Sequence, residues 1–448
     1  MMLKKQLNTS KNLSIFGKSK SIKNSNEDLF TWPITGKEDE EAVLRILRDK
    51  PVFQNESEIF KFENEFADWC GTKYALAHPN GASAILTAMF ACGVKRGDEV
   101  IAPSCTYWGS IIQCFNLGAT VVFADIHPTT LCIDPIDIEK KISQKTKAIL
   151  VVHFLGYPCD MDAINRIAKK YNVKVIEDAS HAHGSLHKGK KVGSIGDIGA
   201  FSLGRKSMTL GEGGIFVTND RDLFEKGIAW SDNFRFNKSN VHNQELAKFA
   251  GIPMGGITTR MHGVTAALGR VQLKRYDERV KEVDKAMNYF WDLIEDLPGI
   301  QAHRPPKDSG CSMGGWYCPH GIYHTEELGG LSVSRFVEAL RAEGYYAWTR
   351  SCIKEPLHLH PMLNECDIYG HGKPTRIANT DRDLRQPKGS LPITENIKSF
   401  TVPAFKKYIP EIIEEYAACF RKIIEYHEEL IPGDLGDDSI TVDERGNG

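Results

Sequence analysis

Residues 148–178 read AILVVHFLGYPCDMDAINRIAKKYNVKVIED: an apolar run, a helical pattern and a second apolar run. The run Ala148–Phe154 lacks the polar alternation of a half-exposed strand, so it predicts a strand buried on both faces. Apolar residues recur at helical spacing in Met161–Tyr171, and the strand-like run Lys174–Ile176 follows directly. A strand, a helix and a second strand in this order indicate parallel pairing, because parallel strands need a crossover between them.

The same alternation extends from about Ala75 to Asn219. Further strands are predicted at Glu99–Ala102, Thr120–Ala124 and Ile215–Thr218, and further helices at Ala82–Cys92, Tyr107–Asn116 and Pro135–Lys141. We therefore expect a mostly parallel sheet between layers of helices. After Arg260 the pattern changes to two long helices, Met261–Tyr276 and Glu278–Leu297, and then to a smaller α/β segment that includes a strand at Tyr317–Tyr323.

The chain has 448 residues, enough for two or three domains. The pattern predicts a large domain over residues 29–280 and a small C-terminal domain over residues 281–432. Residues 1–28 are rich in Lys, Ser and Asn and predict a flexible arm, and the polar residues 433–448 predict a disordered tail.

The composition narrows the class of partner. The formal net charge of −2 disfavours nucleic acid or an anionic membrane as a partner, and no apolar run reaches the roughly 18–20 residues that cross a bilayer. The eleven cysteines contain no CxxC pair, which disfavours a metal site and favours reduced thiols. We expect a cytoplasmic protein that acts on small molecules, with no metal, nucleic acid or membrane partner.

Four candidate site motifs are expected to cluster beyond the carboxyl ends of the predicted strands, where ligands bind in open parallel sheets. Gly81-Ala82-Ser83 opens a helix with small residues, a pattern that either leaves backbone N–H groups for a phosphate or serves only as a cap. Tyr107 follows the strand Glu99–Ala102 and is able to stack on a flat ring, although core packing is the commoner role.

Two further motifs contain charged residues. Asp178 ends a predicted strand, and His181 lies three residues further on. A carboxylate in a partly dry cleft needs a positive partner such as a protonated pyridine nitrogen, and capping of the next segment is the alternative. Ser202 and Lys206 lie between a strand and the turn Gly211–Gly214. A lysine desolvated in a cleft becomes an amine nucleophile, whereas a surface lysine beside a turn is the common alternative.

The order and spacing of these motifs resemble fold-type I pyridoxal-phosphate (PLP) enzymes, and more narrowly the DegT/DnrJ/EryC1/StrS family of sugar and cyclitol aminotransferases. The resemblance runs from about Trp32 to about Tyr426. Its other carriers are Phe62–Ala67, Gly97–Ile101, Gly118-Ala119, Val152-His153, Gly193-Ser194 and Leu391–Glu395. It implies an α/β protein whose large domain has a mostly parallel seven-stranded sheet flanked by helices, with a smaller C-terminal α/β domain.

The resemblance also implies roles for the candidate residues. Lys206 would hold PLP as a Schiff base, Asp178 would pair with the pyridine nitrogen, and His181 would lie beside the ring's phenolic oxygen. Further cofactor contacts would come from Gly81, Ala82, Ser83, Tyr107, Ser202 and, across a dimer, Thr258. The chain departs from the family pattern at two of these places. The segment from Ser202 to Lys206 is one residue shorter than usual, which leaves the reach of Ser202 open, and Thr258 replaces the usual Asn, so a hydroxyl replaces an amide or the contact is absent.

The implied reaction is transamination in a homodimer with shared active sites. An amino group would pass from L-glutamate or L-glutamine to PLP, giving pyridoxamine phosphate, and then to the ketone of a cyclitol or of a sugar, nucleotide-linked or free. Lys206 separates the chain from related sugar 3-dehydratases, which carry histidine at that place. His358 and His360 resemble residues of the acceptor-side loop in cyclitol aminotransferases and are candidate substrate contacts, with loop packing as the alternative.

Two other functions stay open. A PLP-dependent dehydratase or aromatase of the aminohydroxybenzoate synthase type would use the same Lys206. A non-catalytic PLP-fold regulator would lack the lysine or carry a DNA-binding module, but the lysine is present and no helix-turn-helix pattern occurs. A Rossmann dehydrogenase is disfavoured, because no GxGxxG follows the first predicted strand.

Overall fold

The computed structural model of the protein describes residues 11–23, 29–30, 34–48, 56–232, 234–345 and 356–437. Its first nine strands are β1 Tyr74–His78, β2 Glu99–Pro103, β3 Thr120–Ala124, β4 Thr146–Val152, β5 Lys174–Asp178, β6 Leu186–His187, β7 Lys190–Lys191, β8 Ile198–Ser202 and β9 Gly214–Thr218. Seven of them form one sheet in the order β1-β9-β8-β5-β4-β2-β3. The strands from β8 to β3 are parallel, whereas β9 is antiparallel to β1 and β8. The predicted sheet is confirmed.

The helices of the described residues are α1 Lys37–Arg48, α2 Glu56–Cys70, α3 Gly81–Ala91, α4 Gln113–Asn116, α5 Pro135–Lys141, α6 Met161–Tyr171, α7 Arg221–Ser231, α8 Gln244–Ala247, α9 Gly263–Lys274, α10 Tyr276–Asp292, α11 Val333–Ala342, α12 Pro361–Asn364, α13 Thr375–Ala378, α14 Pro392–Asn396 and α15 Pro410–Glu425. Caps set several of these bounds: α6 begins where the Asp160 side chain accepts from the Ala163 N–H and ends at left-handed Asn172. Within the described ranges, no helix combines the length and the apolarity that a membrane span requires.

Two predicted elements differ in the structure. The helix predicted over Tyr107–Asn116 is wrong as one element, because Tyr107 is extended; a 3-10 turn at Trp108–Ser110 precedes the short α4. The strand predicted from Tyr317 begins instead at His320. Cys318 has a left-handed backbone (φ 49°) and the following proline has no N–H to donate, so neither residue suits a ladder.

The C-terminal part is built on an antiparallel sheet of β10 Ile300–Ala302, β11 His320–Tyr323 and β12 Ser399–Thr401. Helices α10, α11 and α15 pack with it around a buried aromatic cluster of Phe290, Phe336, Phe400 and Phe420. Helix α10 runs through the predicted domain boundary at residues 280 and 281 without a break, so the boundary stays a prediction.

The described part of the predicted arm, residues 11–23, is packed against the C-terminal part, and the flexibility of the arm stays a prediction. Leu13 and Ile22 are buried in the core there. The buried carboxylate of Glu343 accepts hydrogen bonds from both the backbone N–H and the hydroxyl of Ser21. Burial of Leu13 and Ile22 and the hydrogen bonds to Glu343 hold residues 11–23 against the C-terminal part. Residues 1–10 and 24–28 lie outside the described residues.

The first residues of the predicted tail also make contacts. Asp434 accepts a hydrogen bond from the Ser332 backbone at 2.7 Å, and Asp437 lies 2.7 Å from the Lys398 ammonium. The polar sequence did not indicate these contacts, and the disorder of the tail stays a prediction. The rest of the tail, residues 438–448, lies outside the described residues.

Candidate active site

The carboxyl end of β5 carries Asp178, which is 3% exposed. One carboxylate oxygen accepts a hydrogen bond from the Ser110 hydroxyl at 2.7 Å, and the other accepts from the Ser180 backbone N–H at 3.0 Å. Among the described residues, no lysine or arginine forms an ion pair with Asp178. A buried carboxylate without a cation is costly, so this one is suited to receive a positively charged ligand atom.

Lys206 lies on the turn between β8 and β9, beyond the same edge of the sheet. The turn is set by Arg205, whose left-handed backbone (φ 47°) is accompanied by a hydrogen bond from its N–H to the Thr209 hydroxyl. The half-buried Lys206 amine donates to the Tyr317 hydroxyl at 3.1 Å and lies 4.3 Å from the centre of that ring. Its side chain therefore extends into the cleft.

His181 lies in the same cleft. Its ring centre is 4.6 Å from that of Tyr317 and 5.8 Å from that of Phe154, and the Leu155 backbone N–H donates to its Nδ1. Burial, and next the charge of Lys206, hold the pKa of His181 well below its usual range. The ring is therefore neutral at neutral pH.

The predicted phosphate turn at the start of α3 requires glycine. A Cβ on Gly81 would lie 2.6 Å from the Cβ of Ser202, and a Cβ on Gly214 would lie 2.2 Å from the Asn80 carbonyl oxygen. The Asn80 side chain caps the helix by accepting from the Ser83 N–H at 2.9 Å. The amides of Gly81 and of the following Ala82 are at the helix start, where no intrahelical acceptor exists. Ser202 lies beside this helix start in spite of the shortened spacing.

Tyr107 is 58% exposed, so core packing is not its role in the single chain. Its ring lies over Gly109, where a Cβ would come within 2.8 Å, and 4.8 Å from the Trp108 ring. Partial burial raises the pKa of Tyr107, and nearby Tyr317 and Glu212 raise it further. Tyr107 therefore borders the cleft that contains Lys206.

Thr258, the candidate contact to a second subunit, is exposed on the loop between α8 and α9. The adjacent Thr259 hydroxyl is hydrogen-bonded to His78 Nδ1 at 3.0 Å, at the end of β1. The Arg260 guanidinium lies over the Phe234 ring. The loop is thus anchored near the large sheet, with Thr258 directed outwards.

The two candidate substrate histidines differ. His358 is buried, and both ring nitrogens are engaged by protein groups: Nδ1 with the Ser104 hydroxyl at 2.7 Å and Nε2 with Glu395 at 3.0 Å. This arrangement favours the loop-packing alternative for His358. His360 is exposed, and its Nδ1 accepts from the Met362 N–H at the start of α12.

Sequence reasoning missed three residues of the cleft: Ser110 and Ser180, which orient Asp178, and Tyr317, which contacts Lys206. Ser180 belongs to the motif that follows β5, and its hydroxyl accepts from the Ser202 N–H at 2.9 Å. A polar residue two positions after the strand-end Asp was its available signal. No local pattern could have found Tyr317, which is 111 residues from Lys206 in the chain.

A mostly parallel α/β sheet with a lysine and a buried aspartate at one edge fits the class of fold-type I aminotransferases. The chain belongs to the DegT/DnrJ/EryC1/StrS aminotransferase family, whose model matches residues 33–403. The predicted fold class, family and aminotransferase activity are confirmed.

Individual relatives agree with this assignment. The chain is 38% identical over 357 residues to GDP-perosamine synthase of Escherichia coli O157:H7, covering 76% of this chain and 91% of that protein. It is 30% identical over 385 residues to L-glutamine:scyllo-inosose aminotransferase of Streptomyces griseus, covering 83% and 87%. The X-ray structure of an aminotransferase from Psychrobacter cryohalolentis is similar with a TM-score of 0.75 and 28% identity, over 90% of this chain and all of that one.

Proposed function

We propose that this aminotransferase carries PLP on Lys206 and moves an amino group from L-glutamate or L-glutamine to a ketone of a sugar or cyclitol. The observation that carries the proposal is the buried carboxylate of Asp178, which lacks a cationic partner among the described residues and lies at the same sheet edge as a lysine amine. A protonated pyridine nitrogen supplies the missing charge, and an aldehyde reacts with the amine.

The other cleft residues fit the same cofactor. The helix start at Gly81 and Ala82, with the Ser202 hydroxyl beside it, suits a phosphate, because the first amides of a helix lack internal acceptors. Tyr107 offers an exposed aromatic face at the border of the cleft, and His181 offers a neutral ring. Ser83 contributes through the cap that orders this turn.

Bound PLP would supply an electron sink for the charge that develops when the donor loses its Cα proton. Asp178 would keep the ring nitrogen protonated, and Ser110 and Ser180 would hold the carboxylate in place for that task. The Lys206 amine would take the proton from the donor's Cα and return it to carbon C4′ of the cofactor, acting first as a base and then as an acid.

The similarities support a polyhydroxylated acceptor. Identity is higher to the GDP-perosamine synthase (38%) than to the scyllo-inosose aminotransferase (30%), which favours a nucleotide-linked ketosugar over a cyclitol or a free sugar. The second relative is named for L-glutamine as its donor, and L-glutamate is an equal candidate for this chain. We further propose a cytoplasmic homodimer with shared active sites, in which exposed Thr258 contributes to the partner's phosphate site.

The test is the visible absorbance of the purified protein with added PLP, before and after L-glutamate or L-glutamine. We expect a bound-cofactor band that is lost when either donor converts the cofactor to its amine form, and that Lys206→Ala does not show. Adding nucleotide-linked ketosugars or inososes to the amine form should restore the band for the true acceptor class. Absence of any cofactor band after addition of PLP would exclude the proposal, and a yellow protein unmoved by both donors would exclude these two donors.

A further inference from the structure

Tyr317 reaches the cleft from the C-terminal part of the chain on a closely packed segment. A Cβ on Gly314 would lie 2.3 Å from the His183 carbonyl oxygen, and a Cβ on Gly315 would lie 2.3 Å from the Tyr276 hydroxyl. Only glycine fits at these two positions, so the segment passes directly against the large domain.

The residues on either side of Tyr317 are also held. Trp316 and Cys318 both have left-handed backbones (φ 47° and 49°), which non-glycine residues adopt only where the surroundings impose them. Trp316 is buried, and its indole N–H donates to Asp284 at 2.8 Å. The backbone on both sides of Tyr317 is therefore constrained, which fixes the position of this residue.

The Tyr317 side chain touches two of the proposed cofactor residues. Its hydroxyl accepts a hydrogen bond from the Lys206 amine at 3.1 Å, and its ring centre lies 4.6 Å from that of His181. A phenolic oxygen is a neutral acceptor, so it orients the amine without placing a negative charge beside it, as a carboxylate would.

We propose that Tyr317 is the positioning residue for Lys206, holding the amine in the cleft whenever it is not bonded to the cofactor. The inference rests on the proposed function, in which Lys206 is released by the donor and then transfers its proton. In that transfer the Lys206 lone pair takes the donor's Cα proton and the same proton is returned to carbon, while Tyr317 keeps its own proton throughout. Tyr317 thereby orients the Lys206 amine and neither gains nor loses a proton in the reaction.

The first experiment uses the protein without cofactor, and so does not depend on catalysis. Tyr317→Phe keeps the ring and removes the acceptor, and we expect Lys206 to be reductively methylated severalfold faster than in the wild type, as measured by peptide mass spectrometry. The matched control is Tyr323→Phe, which loses a hydrogen bond to the Leu331 carbonyl in the C-terminal part. That control should leave the labelling of Lys206 unchanged.

The second experiment uses the PLP-loaded protein with a donor deuterated at Cα. For Tyr317→Phe we expect the single-turnover rate to fall about tenfold, the size of one lost hydrogen bond, with unchanged donor affinity and a larger isotope effect. Tyr323→Phe should behave as the wild type. Unchanged labelling, or faster labelling with unaltered kinetics and isotope effect, would overturn the positioning role. A wild-type protein that does not respond to any donor would instead exclude the proposed function and leave the labelling result standing.

Discussion

The adjacent carboxylates Glu177 and Asp178 of strand β5 differ in how many hydrogen bonds they accept from the protein. Side chains alternate along a strand, so Glu177 and Asp178 point to different faces of the sheet. Glu177 is fully buried and accepts from His153 Nε2 at 2.9 Å and from the N–H groups of Gly193, Ile195 and Gly196 at 2.5–2.7 Å. Asp178 has only the Ser110 hydroxyl and one backbone N–H among the described residues.

The contrast separates a structural carboxylate from one available to a ligand. Burial raises the pKa of Glu177, but hydrogen bonds from His153 and from backbone N–H groups outweigh it, so the pKa lies below its ordinary value. The Cys159 N–H donates to His153 Nδ1, which leaves the proton on Nε2 facing Glu177. Protein groups donate hydrogen bonds to both carboxylate oxygens of Glu177. The Asp178 carboxylate accepts fewer hydrogen bonds from the described residues, so it retains acceptor capacity and needs a cation. We therefore interpret the unmet charge of Asp178, and not its burial alone, as the indication of a ligand site.

The sharpest test of this contrast is Asp178→Asn, for which we expect the largest loss of activity. The amide keeps the shape but cannot hold a proton on a pyridine nitrogen, so the donor half-reaction should slow by about 1,000-fold or more. Single-turnover absorbance with L-glutamate or L-glutamine measures it. The melting temperature should stay close to that of the wild type; a variant within tenfold of wild-type rate would contradict the proposed role.

Glu177→Gln should show the opposite pattern, with a large effect on stability and a small one on chemistry. The amide NH₂ would face backbone N–H donors that lose their acceptor, so the free energy of unfolding should fall by about 2–4 kcal/mol. Urea unfolding measures the loss, and the rate of the folded fraction should remain within a few-fold of the wild type. Equal stability of the two proteins would show that Glu177 is not the anchor of the loop at Gly193.

The same pair of proteins gives a pH test. The folded-state pKa of Glu177 is depressed below its ordinary 4.5, so its stabilisation is fully present above that value and is lost as the pH falls through the folded-state pKa. The stability difference between the wild type and Glu177→Gln should therefore be constant from neutral pH down to about pH 5 and shrink below it. A difference that shrinks towards alkaline pH instead would contradict the sign of this shift.

The smallest effect is expected for His181→Gln, on the Asp178 side of the strand. The pKa of His181 lies well below its usual range, so the ring is already neutral and an uncharged amide replaces an uncharged imidazole. We expect less than a tenfold loss of rate and no change in the shape of the pH–rate profile between about pH 6 and 8. Loss of an ionisation in that range on substitution would show that His181 titrates in the working enzyme.

Most elements of the large domain could be predicted because their signals are local. Apolar runs and helical spacing around residues 148–178 depend on neighbours within a few positions, and the structure confirms those strands and helices. The candidate residues Asp178 and Lys206 could likewise be found, because a strand end and a glycine-rich turn are features of short stretches. The packing of Leu13 and Ile22 could not be predicted, because two apolar residues in a polar segment show no periodicity.

The amino-acid sequence by itself determined the parallel sheet, the family and the chemical types at its edge, through local patterning and motif spacing. Only the tertiary structure decided which side chains meet: Tyr317 with Lys206, Ser110 with Asp178, and His358 with Glu395. These contacts join residues from 37 to 111 positions apart. Their geometry arises from how the packed elements bring distant backbone together, and no spacing within one segment encodes it.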